Sequence, residues 1–165
     1  GRSSAASDVY KRQGQPVTVI NDADAAGLAE MRFGIEDAHL YKTVFFLTVG
    51  TGIGSAIFVD GHLLPNTELG HLEVRGKEAE HRASDAVRRQ KKLSWKRWGK
   101  RFTEVLNTYE SLINPDLFII GGGISSKFEN YAEYLKIQTK ILPAELENLA
   151  GIIGAAMAAK EAELP

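Results

Sequence analysis

Three short stretches of this chain hold residue types suited to chemistry between a phosphate and a hydroxyl. The first is Leu47-Thr48-Val49-Gly50-Thr51-Gly52-Ile53-Gly54-Ser55-Ala56-Ile57-Phe58, a turn of three glycines and a threonine between two apolar, β-prone segments. Glycines permit backbone angles that other residues resist, so successive amide N–H groups can converge on one anion, usually phosphate. The second is Asn21-Asp22-Ala23-Asp24-Ala25-Ala26, directly after the apolar run Val17-Thr18-Val19-Ile20. A hydroxyl that accepts a phosphoryl group needs a carboxylate nearby to orient it and take its proton, and Asp22 is the candidate. The third is Thr67-Glu68-Leu69-Gly70-His71-Leu72-Glu73. There Glu68 and His71 share one tight loop and could grip two adjacent hydroxyls of a sugar.

Each stretch also has a plain structural reading. The glycine turn fits an ordinary tight hairpin. Asn21 or Asp22 fits a helix cap, with Asp24 favouring the helix dipole. Glu68 and His71 fit a polar surface loop, and no cysteine cluster follows His71 to suggest a metal. The turn departs from the Walker loop and from the dinucleotide fingerprint, because both of those open a helix. Here it runs into another strand, Ser55 to Val59, closed by the hairpin signal Asp60-Gly61.

The elements that must position these residues follow from periodicity. Val17 to Ile20 reads as a buried strand, followed by a helix with Ala25, Ala26, Leu28, Ala29 and Met31 that ends near Gly34. Thr43 to Val49 and Ser55 to Val59 form a hairpin, with His62-Leu63-Leu64 as a third strand and Leu72-Glu73-Val74 as a short one. Helices are predicted over Ala79–Lys91, Ser94–Ile113, about Phe128–Ile141, and from Gly151 or Ile152 onward. The apolar strand Leu117-Phe118-Ile119-Ile120 precedes Gly121-Gly122-Gly123. Strands first and helix–strand–helix afterwards describe an α/β three-layer domain with a mixed sheet.

The 165 residues, 44% hydrophobic and 25% charged, suit one globular domain, and the net charge of −1 points to no partner. The absence of cysteine excludes disulfides and cysteine-ligated zinc. No apolar stretch approaches the roughly 20 residues that cross a bilayer, and a cytoplasmic protein without membrane contact is expected. Gly1 to Gln13 lack apolar periodicity and resemble translated adapter sequence, so they are expected to be a non-native or disordered tail.

Together the three stretches resemble the ROK sugar kinases, over Val17 to about Ala159. Within that family they are most similar to the polyphosphate glucokinases, also called polyphosphate/ATP glucomannokinases. The segments that carry this are Asn66 to Val74, Ala79-Glu80-His81-Arg82-Ala83-Ser84-Asp85, Leu93-Ser94-Trp95-Lys96, Pro115 to Gly123, and Ala150-Gly151-Ile152-Ile153-Gly154-Ala155-Ala156. The resemblance implies an actin-like ATPase (ribonuclease H-like) large domain, a mixed sheet with flanking helices. It implies transfer of a phosphoryl group from polyphosphate or ATP, with magnesium and without zinc, to the 6-hydroxyl of glucose. Asp22 would be the catalytic base. Asn21, Asp22, Glu68, His71 and Glu80 would bind the sugar. Gly50, Thr51, Gly52 and Gly54 would hold donor phosphates, with Gly121, Gly122 and Gly123 near the nucleotide. The alternatives are another ROK hexose kinase, acting on mannose or N-acetylmannosamine, and a non-enzymatic sugar-responsive ROK repressor.

Such kinases begin with a small lobe bearing an Asp-x-Gly-Gly-Thr phosphate turn, and nothing resembling it lies upstream of Asn21. Residues 14–165 are therefore expected to be the large carboxy-terminal lobe, inactive alone and part of a homodimer when intact. A run of cations, Arg88, Arg89, Lys91, Lys92, Lys96, Arg97, Lys100 and Arg101, falls within fourteen residues that contain no acid. It fits a polyphosphate chain and fits a solvated helix face equally well, and no nucleic-acid partner is expected. Trp95 and Trp98 are expected in the core or an interface.

Overall fold

The structure, a computed structural model, describes residues 19–146 and 149–162. Its centre is a five-stranded sheet of β1 (Thr43–Val49), β2 (Ile53–Val59), β3 (His62–Leu64), β6 (Leu117–Gly121) and β7 (Lys140–Pro143). The spatial order is β3-β2-β1-β6-β7. β1, β2 and β3 form an antiparallel meander, whereas β6 and β7 run parallel to β1. The sheet is mixed, as the sequence predicts.

β1 is apolar on both faces because both faces are covered. Phe45, Leu47 and Val49 point toward α4 (Trp95–Ile113), which buries Trp98, Phe102, Val105, Leu106 and Tyr109 at helical spacing. Val44 and Phe46 point the other way, into a cluster with Ala26 and Ala29 of α1 (Asp22–Phe33) and Ala150 of α5 (Ala150–Ala162). α1 starts where expected, the Asn21 Oδ1 accepting the Asp24 N–H at 2.7 Å. α4 starts at Ser94, whose hydroxyl accepts the Arg97 N–H, and ends at Asn114 in the left-handed conformation.

A small second sheet, β4 (Glu73–Val74) with β5 (Lys77–Glu78), precedes α2 (Ala79–Ala83) and α3 (Asp85–Gln90). The single helix expected over Ala79–Lys91 is thus two. Ser84 leaves the helical conformation and caps α3, accepting the Val87 N–H at 3.3 Å. The helix expected over Phe128–Ile141 is absent. Two 3₁₀ segments, Ser125–Asn130 and Ala132–Tyr134, stand there, and β7 follows. Glu110 of α4 accounts for this: its carboxylate accepts the N–H groups of Gln138 and Thr139, at 3.1 and 2.6 Å, holding that chain extended. Of the strand expected over Val17–Ile20, Val17 and Thr18 lie outside the described residues, and Val19 and Ile20 are in no strand. No helix among the described residues is long and apolar enough to cross a membrane.

Candidate functional site

β1 and β6 run parallel and end at the same edge of the sheet, the place where open α/β sheets form crevices. The α1 amino terminus meets that edge, and a cleft of about 350 Å³ lies between. Asn21, Asp22, the turn from Gly50 to Gly54, Glu68, Glu80 and Gly122 all line it. Three stretches far apart in the sequence therefore share one cavity.

Close packing brings α1 there. A methyl group on Gly54 would meet the Thr48 Oγ1 at 2.5 Å and the Ala23 Cβ at 3.0 Å. Ala23 and Gly54 are the small pair that lets Asp22 approach the turn. Asn21 uses its Oδ1 as the helix cap and leaves its amide NH₂ toward the cleft. The Asp22 carboxylate is exposed and has no hydrogen-bond or ion-pair partner among the described residues.

The glycines of the turn act differently from expectation. Gly50, Gly52 and Gly54 all lack positive φ, so left-handed backbone freedom is not what they supply. Gly52 makes room for a carboxylate, since a methyl group there would sit 2.5 Å from the Glu80 Oε2. That same oxygen accepts the Ile53 N–H at 3.4 Å, and the Gly50 N–H donates to the Gly52 carbonyl at 3.0 Å. Among the described residues the Thr51 and Gly52 amides have no backbone partner, and around Gly50 the space is open. The second glycine segment is divided. Gly122, at φ +78°, lines the cleft, Gly121 is packed under the Phe46 ring, and Gly123 is exposed outside the lining.

Glu68 faces the cleft, and His71 stands beside it rather than in its lining. The His71 ring lies 3.4 Å from Glu78, 3.7 Å from Glu80 and 3.9 Å from Glu68. Hydrogen bonding to Glu78 and the charge of Glu80 raise its pKa above the ordinary 6.5. His71, Glu78 and Glu80 present ligand atoms within 4.8 Å of one another, the spacing of a cation site.

Sequence reasoning missed the residues that hold the loop. The Ser55 hydroxyl pairs with the Thr67 hydroxyl at 2.9 Å and accepts the Leu69 N–H at 3.1 Å. Asp24, expected only to favour the helix dipole, is 1% exposed, and its Oδ2 accepts the Asn66 N–H at 2.9 Å. Burial raises its pKa, and its other oxygen is buried without a partner among the described residues. An aspartate in a first helical turn gives no sequence signal for such a role.

Residues 4–85 match the ROK family. The chain carries a ROK family domain. It is 53% identical over 145 residues to the polyphosphate glucokinase of Mycobacterium tuberculosis (strain CDC 1551 / Oshkosh), an alignment covering 88% of this chain and 54% of that relative. With the polyphosphate glucokinase of Mycobacterium leprae (strain TN) the identity is 52%, covering 87% of this chain and 44% of the relative. The chain thus spans about half the length of these relatives. The crystal structure of inorganic polyphosphate/ATP-glucomannokinase from Arthrobacter sp. strain KM superposes with a TM-score of 0.86 at 48% identity, over 93% of this chain and 60% of that one. A ROK family glucokinase from Streptomyces griseus shares the fold at a TM-score of 0.76 and 24% identity, over 94% of this chain and 72% of its own. The expected actin-like ATPase fold is the fold of the ROK domain.

Proposed function

We propose that the ROK domain serves phosphoryl transfer from inorganic polyphosphate, and from ATP, to the 6-hydroxyl of glucose. The observation that carries this is the Asp22 carboxylate, without a partner among the described residues and fixed at a helix start in the same cleft as the glycine turn. The names of the relatives at 48–53% identity support the donor and the sugar. In the reaction the sugar hydroxyl oxygen bonds to the terminal phosphorus as the bond to the remaining phosphate chain breaks. Asp22 takes the hydroxyl proton, and the Thr51 and Gly52 amides face the donor oxygens. Glu68, Glu80, His71 and the Asn21 amide hold the other hydroxyls, so the attacking one meets Asp22.

A divalent cation, which we take to be magnesium, would neutralise charge on the donor. Magnesium accepts one or two carboxylates and keeps phosphate oxygens and water as its other ligands. Among the described residues the cleft offers three carboxylates, Asp22, Glu68 and Glu80; one Glu80 oxygen accepts the Ile53 N–H, and Asp22, with no partner among them, would share the ion.

The test joins this chain to the amino-terminal portion of the Mycobacterium tuberculosis relative and measures glucose phosphorylation. Asp22→Asn should lower kcat by about 10²–10⁴-fold, the usual contribution of a general base, with the sugar KM within about threefold. Turnover near that of the parent would remove Asp22 from the role.

A further inference from the structure

Glu104, midway along α4, stands in no motif and outside the cleft lining, yet its one carboxylate holds two arginines. Its Oε1 accepts an Nη1–H of Arg75 at 2.6 Å. Its Oε2 accepts the Nε–H of Arg82 at 2.7 Å and also an Nη2–H of the same guanidinium. The Arg82 side chain is 17% exposed and that of Glu104 31%, so water screens this pair less than an ordinary surface pair.

Both arginines lie on the chain that leads from His71 through Glu80 to α3. Arg75 and Gly76 form the tip of the β4–β5 hairpin, with φ of +53° and +79°. A two-residue turn of this kind favours Asn, Asp or Gly at its first position, and arginine there adopts a backbone that L side chains resist. Its side chain reaches Glu104 and ties the tip down. Arg82 lies on α2, two residues after Glu80, and α2 has only five residues. A helix that short has no stability of its own, so its place is set by what it is tied to. At its start the Ala79 N–H donates to the Leu72 carbonyl at 2.9 Å, and at its end the Ala83 carbonyl accepts the Trp98 Nε1–H at 3.0 Å. Between them, Arg82 is held by Glu104.

Glu80 depends on that placement. Its Oε2 fills the room that Gly52 leaves, 2.5 Å from where a methyl carbon would stand, and its bond to the Ile53 N–H is already long at 3.4 Å. A shift of α2 breaks that bond and carries the carboxylate off the cleft wall. We infer that Glu104 is a positioning residue for the sugar: through Arg82 on α2 and Arg75 at the hairpin tip, it fixes where Glu80 stands in the cleft. The inference rests on the function proposed above, in which Glu80 holds a sugar hydroxyl. Because Glu104 is outside the cleft, its loss weakens the grip on the sugar and leaves the step at Asp22 alone. Tyr109, on the same helix, holds the preceding loop through the Leu69 carbonyl, so α4 fixes both parts of the sugar-facing wall.

The test measures glucose KM and kcat in the joined enzyme of the Asp22→Asn assay. Glu104→Gln should raise the glucose KM about five- to tenfold, with kcat and the donor KM within about twofold. In a Glu80→Gln background the same change should move the KM less than about twofold, because the group it positions is gone. Glu110→Gln, on the same helix, frees the Gln138 and Thr139 amides and serves as a purely structural control. It should lower the Tm and leave the glucose KM within about twofold. Hydrogen exchange of the 165-residue chain reads the placement without any ligand. Amides of residues 77–84 should exchange at least about tenfold faster in Glu104→Gln, while those of β1 stay protected. Should Glu104→Gln fail to fold, Arg75→Gln removes only the tie at the hairpin tip and should raise the glucose KM about two- to threefold. Additive losses at Glu104 and Glu80, equal KM losses at Glu104 and Glu110, or unchanged exchange would each overturn the inference alone. A parent enzyme that phosphorylates no glucose would overturn the sugar reading and this inference with it, so the two failures are distinguishable.

Discussion

The two faces of the central sheet are built on opposite principles, and each positions one wall of the cleft. On the α4 face, large rings interlock: Phe45 stacks on Tyr109 with centroids 5.0 Å apart, and Trp98 on Phe102 at 4.8 Å. That face holds the loop that carries Glu68 and His71, because the Tyr109 hydroxyl donates to the Leu69 carbonyl at 2.7 Å. The α1 face is made of small residues. Ala25, Ala26 and Ala29 let α5 lie against α1, and Gly27 lets α1 lie against Phe58. That face sets Asp22. One wall is thus located by a directed hydrogen bond and the other by the absence of side chains. Aromatic anchors tolerate a small change by local loss, whereas a surface defined by contact tolerates none.

The largest expected effect follows from that contrast. A methyl group on Gly154 of α5 would overlap the Ala25 carbonyl, a backbone atom that cannot swing aside. Gly154→Ala should therefore destabilise the domain by about 1–3 kcal/mol, read as a lower Tm, in spite of alanine's better helix propensity. In the joined enzyme it should also lower kcat by about 10²-fold, because a displacement of about 1 Å at the base costs that much. Gly151, one turn earlier, faces open space, and Gly151→Ala should be neutral or stabilising by up to about 1 kcal/mol. Equal effects at the two glycines would mean that α5 does not locate α1.

On the aromatic face a smaller effect of different kind is expected. Tyr109→Phe keeps the ring stacking and removes only the donor to the Leu69 carbonyl. The Leu69 carbonyl keeps the Leu72 N–H, so losing the second bond should cost about 0.5–1.5 kcal/mol in stability. In the joined enzyme the sugar KM should rise several-fold with kcat little changed, since the loop moves and Asp22 does not. A loss confined to kcat would show instead that α4 also fixes the base.

How much of this was legible in the sequence differs between the two faces as well. The apolar runs of β1 and β6, the stripe on α4 and the Asn21 cap follow from periodicity and local chemistry, which is why they were foreseen. β7 was not, because a few residues ending in Pro143 carry no period of their own and are held extended by Glu110 from another element. The same limit applies in the cleft. The site residues stand in recognisable motifs, but the reason for the glycines lies in contacts with Glu80, Thr48 and Ala23 that no local pattern encodes. Asp24 is the clearest case: its function is a bond to Asn66, 42 residues away.

The smallest expected effect is titration of the loop wall. His71 is exposed among Glu78, Glu80 and Glu68, and its hydrogen bond to Glu78, with the charge of Glu80, raises its pKa above 6.5. The charged ring favours the folded loop, so its contribution is fully present below the unfolded value near 6.5. It is lost as pH rises through the higher folded value. Glucose affinity should accordingly weaken a few-fold as pH rises from below 6.5 through the raised folded value, because Glu68 and Glu80 lose the cation between them. His71→Gln should bind glucose at the weaker level throughout, with a flat profile over that window. Asp24, whose burial also raises its pKa, is unchanged in His71→Gln, so the difference between the two profiles isolates the histidine. If wild type and His71→Gln show the same slope, the Tyr109, Ser55 and Asp24 bonds hold the loop wall without the histidine. The histidine would then be a bystander beside the carboxylates Glu68, Glu78 and Glu80.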